Sequence, residues 1–163
     1  MIYELKIYAS YPNNYWFKFK NNQFSLKSKV SLKKLFSFDV FFSDGPAFIS
    51  PRLASLIDET NSDVQLIEVN VSVNGVNYQG YKMVKIVRKV SAIDLEASES
   101  EPILSYLPDG PKKFRRIVFK EDVSEDFWIA RCQEYPSCII VSDQSRNFLL
   151  TNDVIGIELK DIK

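Results

Sequence analysis

The sequence contains no histidine, and this absence removes a large group of reaction mechanisms. Serine and cysteine nucleophiles are usually activated by a histidine, which is also the commonest general base and a frequent metal ligand. The chain therefore lacks the residue on which most hydrolase and nuclease sites depend. We expect a protein that is not an enzyme, with no catalytic residues, no bound metal and no cofactor.

Cysteine is scarce as well: Cys132 and Cys138 are the only two, and five residues separate them. That spacing is too wide for a Cys-x-x-Cys redox pair, and two cysteines without histidine are too few ligands for a zinc site. We favour ordinary reduced thiols, partly buried. A disulfide across the intervening turn is geometrically conceivable and stays open.

Net charge and long apolar runs are also missing. The 21 basic and 21 acidic residues cancel, so the molecule as a whole is not attracted to nucleic acid or to an anionic membrane. No stretch approaches the ~18 apolar residues of a membrane span, and the first residues lack the basic start and apolar run of a signal peptide. These features predict a cytoplasmic protein that does not bind membranes.

A chain of 163 residues, of which 45% are hydrophobic and 13% aromatic, is long enough for one sizeable core. We predict a single domain spanning residues 1–163, of the α+β class and dominated by strands. Period-two alternation predicts strands over residues 2–8 and 15–20, within a β-rich N-terminal part that extends to residue 44. From residue 94 to residue 113, acidic residues and prolines predict an exposed connection.

One long hairpin and two short helices complete the predicted fold. Asn74-Gly75 tolerates the two positive φ angles of a type I′ turn, and strand-like residues flank it from Val64 to Val90. Ser50 and Ser142 each precede a short helical pattern, where a serine side chain can cap the free N–H groups. Both segments follow one plan of serine cap, helix and strand, and we favour chance similarity over an internal duplication as the explanation.

Charge is distributed unevenly along the neutral chain. Residues 1–38 contain seven lysines and one glutamate, and aromatic residues such as Trp16 and Phe19 alternate with the lysines. Lysines beside exposed aromatics are typical of platforms that bind single-stranded nucleic acid. Edge strands that point lysine outward and aromatics inward show the same alternation. We favour the second interpretation and keep nucleic-acid binding as the alternative function.

Two acidic segments occur in the second part of the chain. They contain Glu96, Glu99 and Glu101, and Glu121, Asp122, Glu125 and Asp126. Neither has the residue order of an EF-hand, and nothing in the sequence would separate the pKa values of a catalytic carboxylate pair. A solvated loop is the commonest structure for such a segment. The functional alternative is a negative surface that meets a cationic partner, with Trp128 either in the core or as a contact residue.

Four short motifs occur in a fixed order, and together they resemble a known family. They are Ile49-Ser50-Pro51-Arg52-Leu53, Val90-Ser91-Ala92-Ile93-Asp94 with Ser98, Ile140-Val141-Ser142, and Gly156-Ile157-Glu158. Their order resembles that of bacterial immunity proteins associated with polymorphic toxin systems. The resemblance covers residues 45–162 and leaves residues 1–44 without a counterpart.

The resemblance implies a small cytoplasmic protein that binds a cognate toxin domain and blocks it, with no chemistry of its own. Ser50, Ser142 and Gly156 would then be structural positions, and Asp94 and Ser98 would hold the turn after a strand. We expect the two acidic segments to face the toxin, with Trp128 as an anchor, because many toxins that act on nucleic acid are cationic. The residues predicted to bind the toxin are Glu96, Glu99, Glu101, Glu121, Asp122, Glu125, Asp126 and Trp128.

Overall fold

Strands dominate the chain, which confirms the predicted α+β class, and the computed structural model describes residues 1–162. Within these residues the helices are α1 (Leu32–Leu35), α2 (Pro51–Leu56) and α3 (Asp143–Thr151), with a 3-10 turn at Asn13–Tyr15. The strands are β1 (Ile2–Ile7), β2 (Lys18–Lys20), β3 (Gln23–Leu26), β4 (Val40–Phe41), β5 (Phe48–Ile49), β6 (Val64–Glu68), β7 (Asn70–Val73), β8 (Val76–Tyr78), β9 (Lys82–Ile86), β10 (Lys89–Val90), β11 (Glu99–Pro102), β12 (Lys112–Arg116), β13 (Ile129–Cys132), β14 (Ile139–Ser142) and β15 (Ile157–Asp161).

The first strand lies inside the sheet that the last strands build. This five-stranded sheet has the order β10-β13-β14-β1-β15, and Leu5 in β1 faces Ile139 on one side and Leu159 on the other. Alternate residues of a strand point to opposite faces. Ile2 accordingly packs into one apolar cluster and Tyr3 into another. Both faces of β1 are thus buried at its start.

The predicted long hairpin is present, but an irregularity divides it between two sheets. Asn74 and Gly75 have φ angles of +50° and +84°, as the type I′ turn requires. β7 pairs with β8 next to this turn, and β6 pairs with β9 farther from it. Between the two pairings the second strand carries one extra residue, and Gly80 in this stretch has a φ of +91°. The prediction of one continuous strand from Val64 was therefore wrong at Val69.

Serine caps the three helices. The hydroxyl oxygens of Ser50 and Ser142 accept the N–H groups of Leu53 and Ser145, which confirms the two predicted helix starts. The sequence analysis missed α1, a helix of four residues that Ser31 caps in the same way. Its short Leu-Lys-Lys-Leu pattern contains too few turns to stand out from a loop.

Residues 94–113 are exposed as predicted, but their description as a connection without regular structure was wrong. β11 and β12 form a separate two-stranded antiparallel ribbon in which Glu101 faces Lys113. β12 spans Lys112–Arg116 and serves as the second strand of this ribbon. Polar and proline residues hid the pattern, because an exposed ribbon needs no apolar alternation.

Aromatic side chains fill the core shared by the two four-stranded sheets, whose orders are β2-β3-β7-β8 and β4-β5-β9-β6. The rings of Phe41 and Phe48 stack with centroids 4.8 Å apart, and Phe24 packs at 4.4 Å from Phe48. Phe17 is buried too, whereas Lys18 is exposed. The burial of Phe17 supports the interpretation of the lysine–aromatic alternation as core and surface, because a buried ring cannot stack on bases. Trp16, in contrast, is 40% exposed.

The two segments with the serine-cap plan share their sheet topology. In one sheet, β4 pairs with β5, α2 follows, and β6 lies parallel to β5 with β9 between them. In the other, β13 pairs with β14, α3 follows, and β15 lies parallel to β14 with β1 between them. The internal similarity therefore extends to the order and direction of four strands. The intervening strand comes from the next segment in one case and from the start of the chain in the other.

Two buried aspartates connect these similar arrangements. Asp39, next to β4, accepts the N–H of Ile155 at 3.1 Å, and Asp63, next to β6, accepts the N–H of Trp128 at 2.5 Å. Their exposed fractions are 4% and 5%. Burial alone would raise the pKa of Asp39, but hydrogen bonds from Arg52, Ser50 and Ile155 outweigh it and lower the pKa below its ordinary value. The charged form of Asp39 therefore stabilises the fold.

We predict that Gly156→Ala destabilises the protein more than Gly75→Ala. Both glycines have a positive φ angle, so alanine is strained at either position. At Gly156 the added Cβ would also lie 2.6 Å from the carbonyl oxygen of Val40, whereas it meets nothing within 4 Å at Gly75. We expect a loss of about 2–4 kcal/mol for Gly156→Ala and about 1 kcal/mol for Gly75→Ala in urea unfolding. Equal losses would contradict the close approach of Gly156 to Val40.

A second prediction concerns the pH dependence of stability. Because the pKa of Asp39 is lower in the folded state than in the unfolded state, its stabilisation is fully present above the unfolded value of 3.8 and is lost as the pH falls through the folded pKa. The stability difference between the native chain and Asp39→Asn should therefore be largest near neutral pH and shrink in acid. Urea unfolding across the range from about pH 7 to about pH 3 measures it. A difference that grows as the pH falls would contradict the assignment.

Candidate functional site

An open groove of about 560 Å³ lies between α3, the loop before β6 and the segment before β13. Its apolar surface comes from Leu56, Trp128 and Phe148. The rings of Trp128 and Phe148 meet edge to face with centroids 5.3 Å apart, and both side chains are half-buried. A large, ordered aromatic surface that is still accessible is typical of the central part of a protein-binding interface.

Hydrogen bonds fix the backbone of Trp128 on both sides. The carboxylate of Asp63 accepts the N–H groups of Trp128 and Ile129, and the carbonyl oxygen of Trp128 accepts the N–H of Ser142 at 3.2 Å. Asp63 comes from the loop after α2, and Ser142 caps α3. The position of the indole therefore depends on two elements that are distant in the sequence.

The groove carries more negative than positive charge. Asp58, Asp63, Glu125 and Asp126 line it together with one cation, Arg88. The Arg88 guanidinium lies 4.0 Å from the Asp63 carboxylate and donates to the carbonyl oxygen of Asp126 at 2.6 Å. Arg88 thus compensates the buried Asp63, and the exposed acids at the rim set the charge that a partner meets.

The acidic residues at the rim differ in the hydrogen bonds and ion pairs that they already form within the chain. Hydrogen bonds from the N–H and hydroxyl of Thr60 lower the pKa of Asp58, so this carboxylate is ionised at neutral pH. Glu125 forms an ion pair with the amino group of Met1. The carboxylate of Asp126 is exposed. Within residues 1–162, Asp58 and Asp126 thus form no ion pair, whereas the amino group of Met1 offsets the charge of Glu125.

The two acidic segments predicted from the sequence lie in different elements. Glu125, Asp126 and Trp128 line the groove, and Glu121 lines a neighbouring cleft that shares Glu125 with it. Asp122 is exposed beside them. The structure thus brings the second acidic segment and the predicted anchor together on adjoining surfaces.

The first acidic segment belongs to the ribbon, where basic residues offset its charge. Glu99 pairs with Arg116 at 3.4 Å, and Glu101 pairs with Arg115 at 3.6 Å. Glu96 is exposed in the turn before β11. Cross-strand pairs of opposite charge stabilise an exposed ribbon. These acids contribute less net negative charge than the sequence alone indicates.

Asp94 and Ser98 hold the turn between β10 and β11. The Asp94 carboxylate accepts the N–H groups of Glu96 and Ala97, both at 3.0 Å. The Ser98 hydroxyl oxygen accepts the N–H of Val118 at 2.8 Å. Asp94 thus forms a local Asx turn, whereas Ser98 ties this turn to the backbone of Val118, 20 residues away in the chain. Their place in the matched motifs agrees with a structural contribution.

Cys132 and Cys138 are free thiols and both are buried. The N–H of Cys132 donates to the carbonyl oxygen of Cys138 at 3.0 Å, so the two residues face each other across a turn. The adjacent thiol of Cys132, together with burial, raises the pKa of Cys138. At neutral pH the Cys138 side chain is therefore a thiol and not a reactive thiolate.

Two further features concern metals and membranes. Within residues 1–162, no group of three or more cysteine, aspartate or glutamate side chains is arranged to hold a metal ion. The longest helix in the same range is α3, with nine residues, and none of these helices is long and apolar enough to cross a bilayer.

Part of the groove comes from the first half of the chain and was not predicted from the sequence. Asp58 and Asp63 stand far from the predicted acidic segments in sequence. Asp58 followed by Thr60 is a recognisable turn signal that marks an exposed loop. Nothing in the local sequence of Asp63 or Arg88 indicates that tertiary folding brings them to Trp128.

The described residues thus form a strand-rich α+β fold with an open groove, whose floor is aromatic and whose rim is charged. The comparison with protein families is more specific about the class of protein. A model of the immunity protein family Imm11 matches residues 8–163, so the chain belongs to that family. The match extends beyond residues 45–162, where the recognised motifs lie, into the N-terminal part. No curated protein matches the chain.

We predict that Asp63→Ala destabilises the protein by about 2–4 kcal/mol, because it leaves the N–H groups of Trp128 and Ile129 without their acceptor. Asp126→Ala, in the same groove, removes an exposed carboxylate and should change stability by less than about 0.5 kcal/mol. Urea unfolding measures both, and tryptophan fluorescence should shift more for Asp63→Ala. Similar stabilities for the two variants would show that Asp63 does not hold the Trp128 segment.

Proposed function

We propose that this immunity protein neutralises a cognate toxin by binding it directly, with the groove around Trp128 as the contact surface. The observation that carries this proposal is the indole of Trp128, which packs edge to face on Phe148 in an accessible groove while hydrogen bonds hold its backbone. Tryptophan is enriched among the residues that dominate interface energetics. A side chain already fixed in the free protein loses little conformational freedom on binding.

The charge of the rim supports a cationic segment on the toxin. Asp58, Glu125 and Asp126 surround the aromatic floor, while Arg88 is engaged with Asp63 and with a backbone carbonyl, and the amino group of Met1 pairs with Glu125. A lysine or arginine side chain can place its aliphatic part on the indole and its charge against these carboxylates. Complementary charge of this kind raises association rates and fixes the orientation of the partner.

Neutralisation in this mechanism needs no chemistry by the immunity protein. The bound chain covers part of the toxin surface, and inhibition follows when the covered part includes the active site or a segment that must move. Belonging to the immunity family supports this function, and the groove supplies the surface that it requires. We place the encounter in the cytoplasm of the cell that makes the immunity protein.

The first test of the proposal is co-expression. The protein encoded by the neighbouring reading frame should inhibit growth when it is expressed alone, and the present chain should relieve that inhibition and co-purify with it. If the two chains form no stable complex and growth is not restored, binding to this toxin is excluded as the function.

Two charge-matched double variants test whether the groove is the contact surface. Glu125→Gln with Asp126→Asn, and Glu99→Gln with Glu101→Gln, each remove two negative charges, so long-range attraction changes equally in both. The groove pair should raise the Kd for the toxin by about tenfold or more, because close charge contacts are lost. The ribbon pair should change the Kd by about twofold.

Surface plasmon resonance at two salt concentrations measures these constants, and thermal unfolding checks that both variants fold. A larger effect from the ribbon pair would move the charged contact to the first acidic segment. Equal small effects would show that neither pair of carboxylates contacts the toxin.

A further inference from the structure

The ribbon ends in an exposed apolar tip that the groove does not explain. Four large side chains lie within five consecutive residues, and each is at least 40% exposed: Ile103, Leu104, Tyr106 and Leu107. Tyr106, at 75%, is the most exposed of them. Single exposed apolar side chains are normal on a protein surface, but a contiguous group marks an interaction site.

Hydrogen bonds to backbone carbonyl groups hold the loop at the tip in one conformation. The N–H of Ile103 donates to the carbonyl oxygen of Pro111 at 2.9 Å, which closes the base of the loop. Within the loop, the N–H of Leu107 donates to the carbonyl oxygen of Leu104 at 2.9 Å. The Lys112 ammonium donates to the carbonyl oxygen of Pro108 at 2.7 Å. The apolar side chains are therefore presented on a folded projection, which reduces the entropy lost on binding.

The two strands of the ribbon are charged and polar. Glu99 and Glu101 in β11 pair with Arg116 and Arg115 in β12, and Lys112 and Lys113 leave the strands with an excess of positive charge. The tip is thus the apolar end of a polar projection. A projection of this kind can be buried in a concave apolar pocket on another protein.

The surface area of the tip indicates whether it binds a second copy of this chain or a different partner. A patch of four side chains offers a few hundred Å², whereas a stable interface buries at least about 1,200 Å² in total. Contact between two tips alone is too small for a stable dimer. The tip instead suits one anchor in a larger interface.

The surface between the ribbon and the groove supplies that larger interface. One cleft of about 370 Å³ runs along the ribbon base and includes Arg116 and Phe119. A second cleft, of about 460 Å³, shares Phe119 with the first and shares Glu125 with the Trp128 groove. The two clefts therefore adjoin each other at Phe119 and adjoin the groove at Glu125, which supports a single partner that contacts both the ribbon and the groove.

We infer that the tip, residues 103–107, inserts into an apolar pocket of the same toxin that binds the groove. This inference rests on the proposed function and adds a second, uncharged anchor. The groove then contributes charge-dependent orientation, and the tip contributes apolar burial that salt does not weaken.

The double variant Tyr106→Ser with Leu107→Ser tests the tip. Its matched control is Tyr8→Ser with Leu150→Ser, which changes the same residue types at exposed positions that lie outside the groove and the ribbon. The tip variant should raise the Kd for the protein of the neighbouring reading frame by about 30-fold or more, and the control by less than about twofold. The loss should persist at high salt, in contrast to that of the groove pair.

Each outcome is decisive. If the unsubstituted chain binds but the tip variant binds equally well, the inference is wrong and the proposed function stands. If the unsubstituted chain does not bind at all, both are wrong. Sedimentation of the free protein tests whether the tip binds a second copy of the chain instead. If the free protein is a dimer and the tip substitutions dissociate it, the inference is wrong. If both variants unfold at the same temperature as the unsubstituted chain, the substitutions leave the fold intact.

Discussion

Two buried carboxylates bring distant parts of this chain together, and the candidate site depends on one of them. Asp39 and Asp63 each accept a backbone N–H from the last third of the chain, at Ile155 and Trp128. A buried carboxylate is stable only when hydrogen bonds and nearby cations compensate its lost hydration. Here the compensating groups come from other elements, so the carboxylates enforce the arrangement of those elements. The groove forms where Asp63 holds the Trp128 segment.

The two proposed contact surfaces differ in their physical character, and this difference gives them separate tasks. The groove around Trp128 has an acidic rim, which acts at a distance and selects a cationic segment. The ribbon tip has apolar side chains, which act only on contact but retain their effect in salt. Under the proposed function, the groove orients the toxin and the tip adds apolar burial. Both kinds of contact matter there, because inhibition by binding depends on affinity.

Local features of the fold were predictable from the sequence because short-range chemistry decides them. Asn74-Gly75 specifies its turn through backbone conformation, and Ser50 and Ser142 start helices through a hydrogen bond three residues away. Residues 94–113 were not predictable as a ribbon, because cross-strand ion pairs hold it and these leave no periodic apolar signal. The charges of the groove were only half predictable: Glu125 and Asp126 form a visible run, whereas Asp58 and Asp63 are isolated acids elsewhere.

By itself, the sequence determined the class of fold, the capped helices, the hairpin turn and the absence of histidine chemistry. It also determined the order of short motifs that places the chain among immunity proteins. Only the tertiary structure decided that β1 lies between β14 and β15, that β11 and β12 project as a ribbon, and that Trp128 lies in a groove with Asp63 and Arg88. The physical reason is the distance along the chain between the residues that decide each feature. Turns and caps are settled within a few residues, whereas strand neighbours and buried charge partners are chosen by packing among segments far apart in the chain.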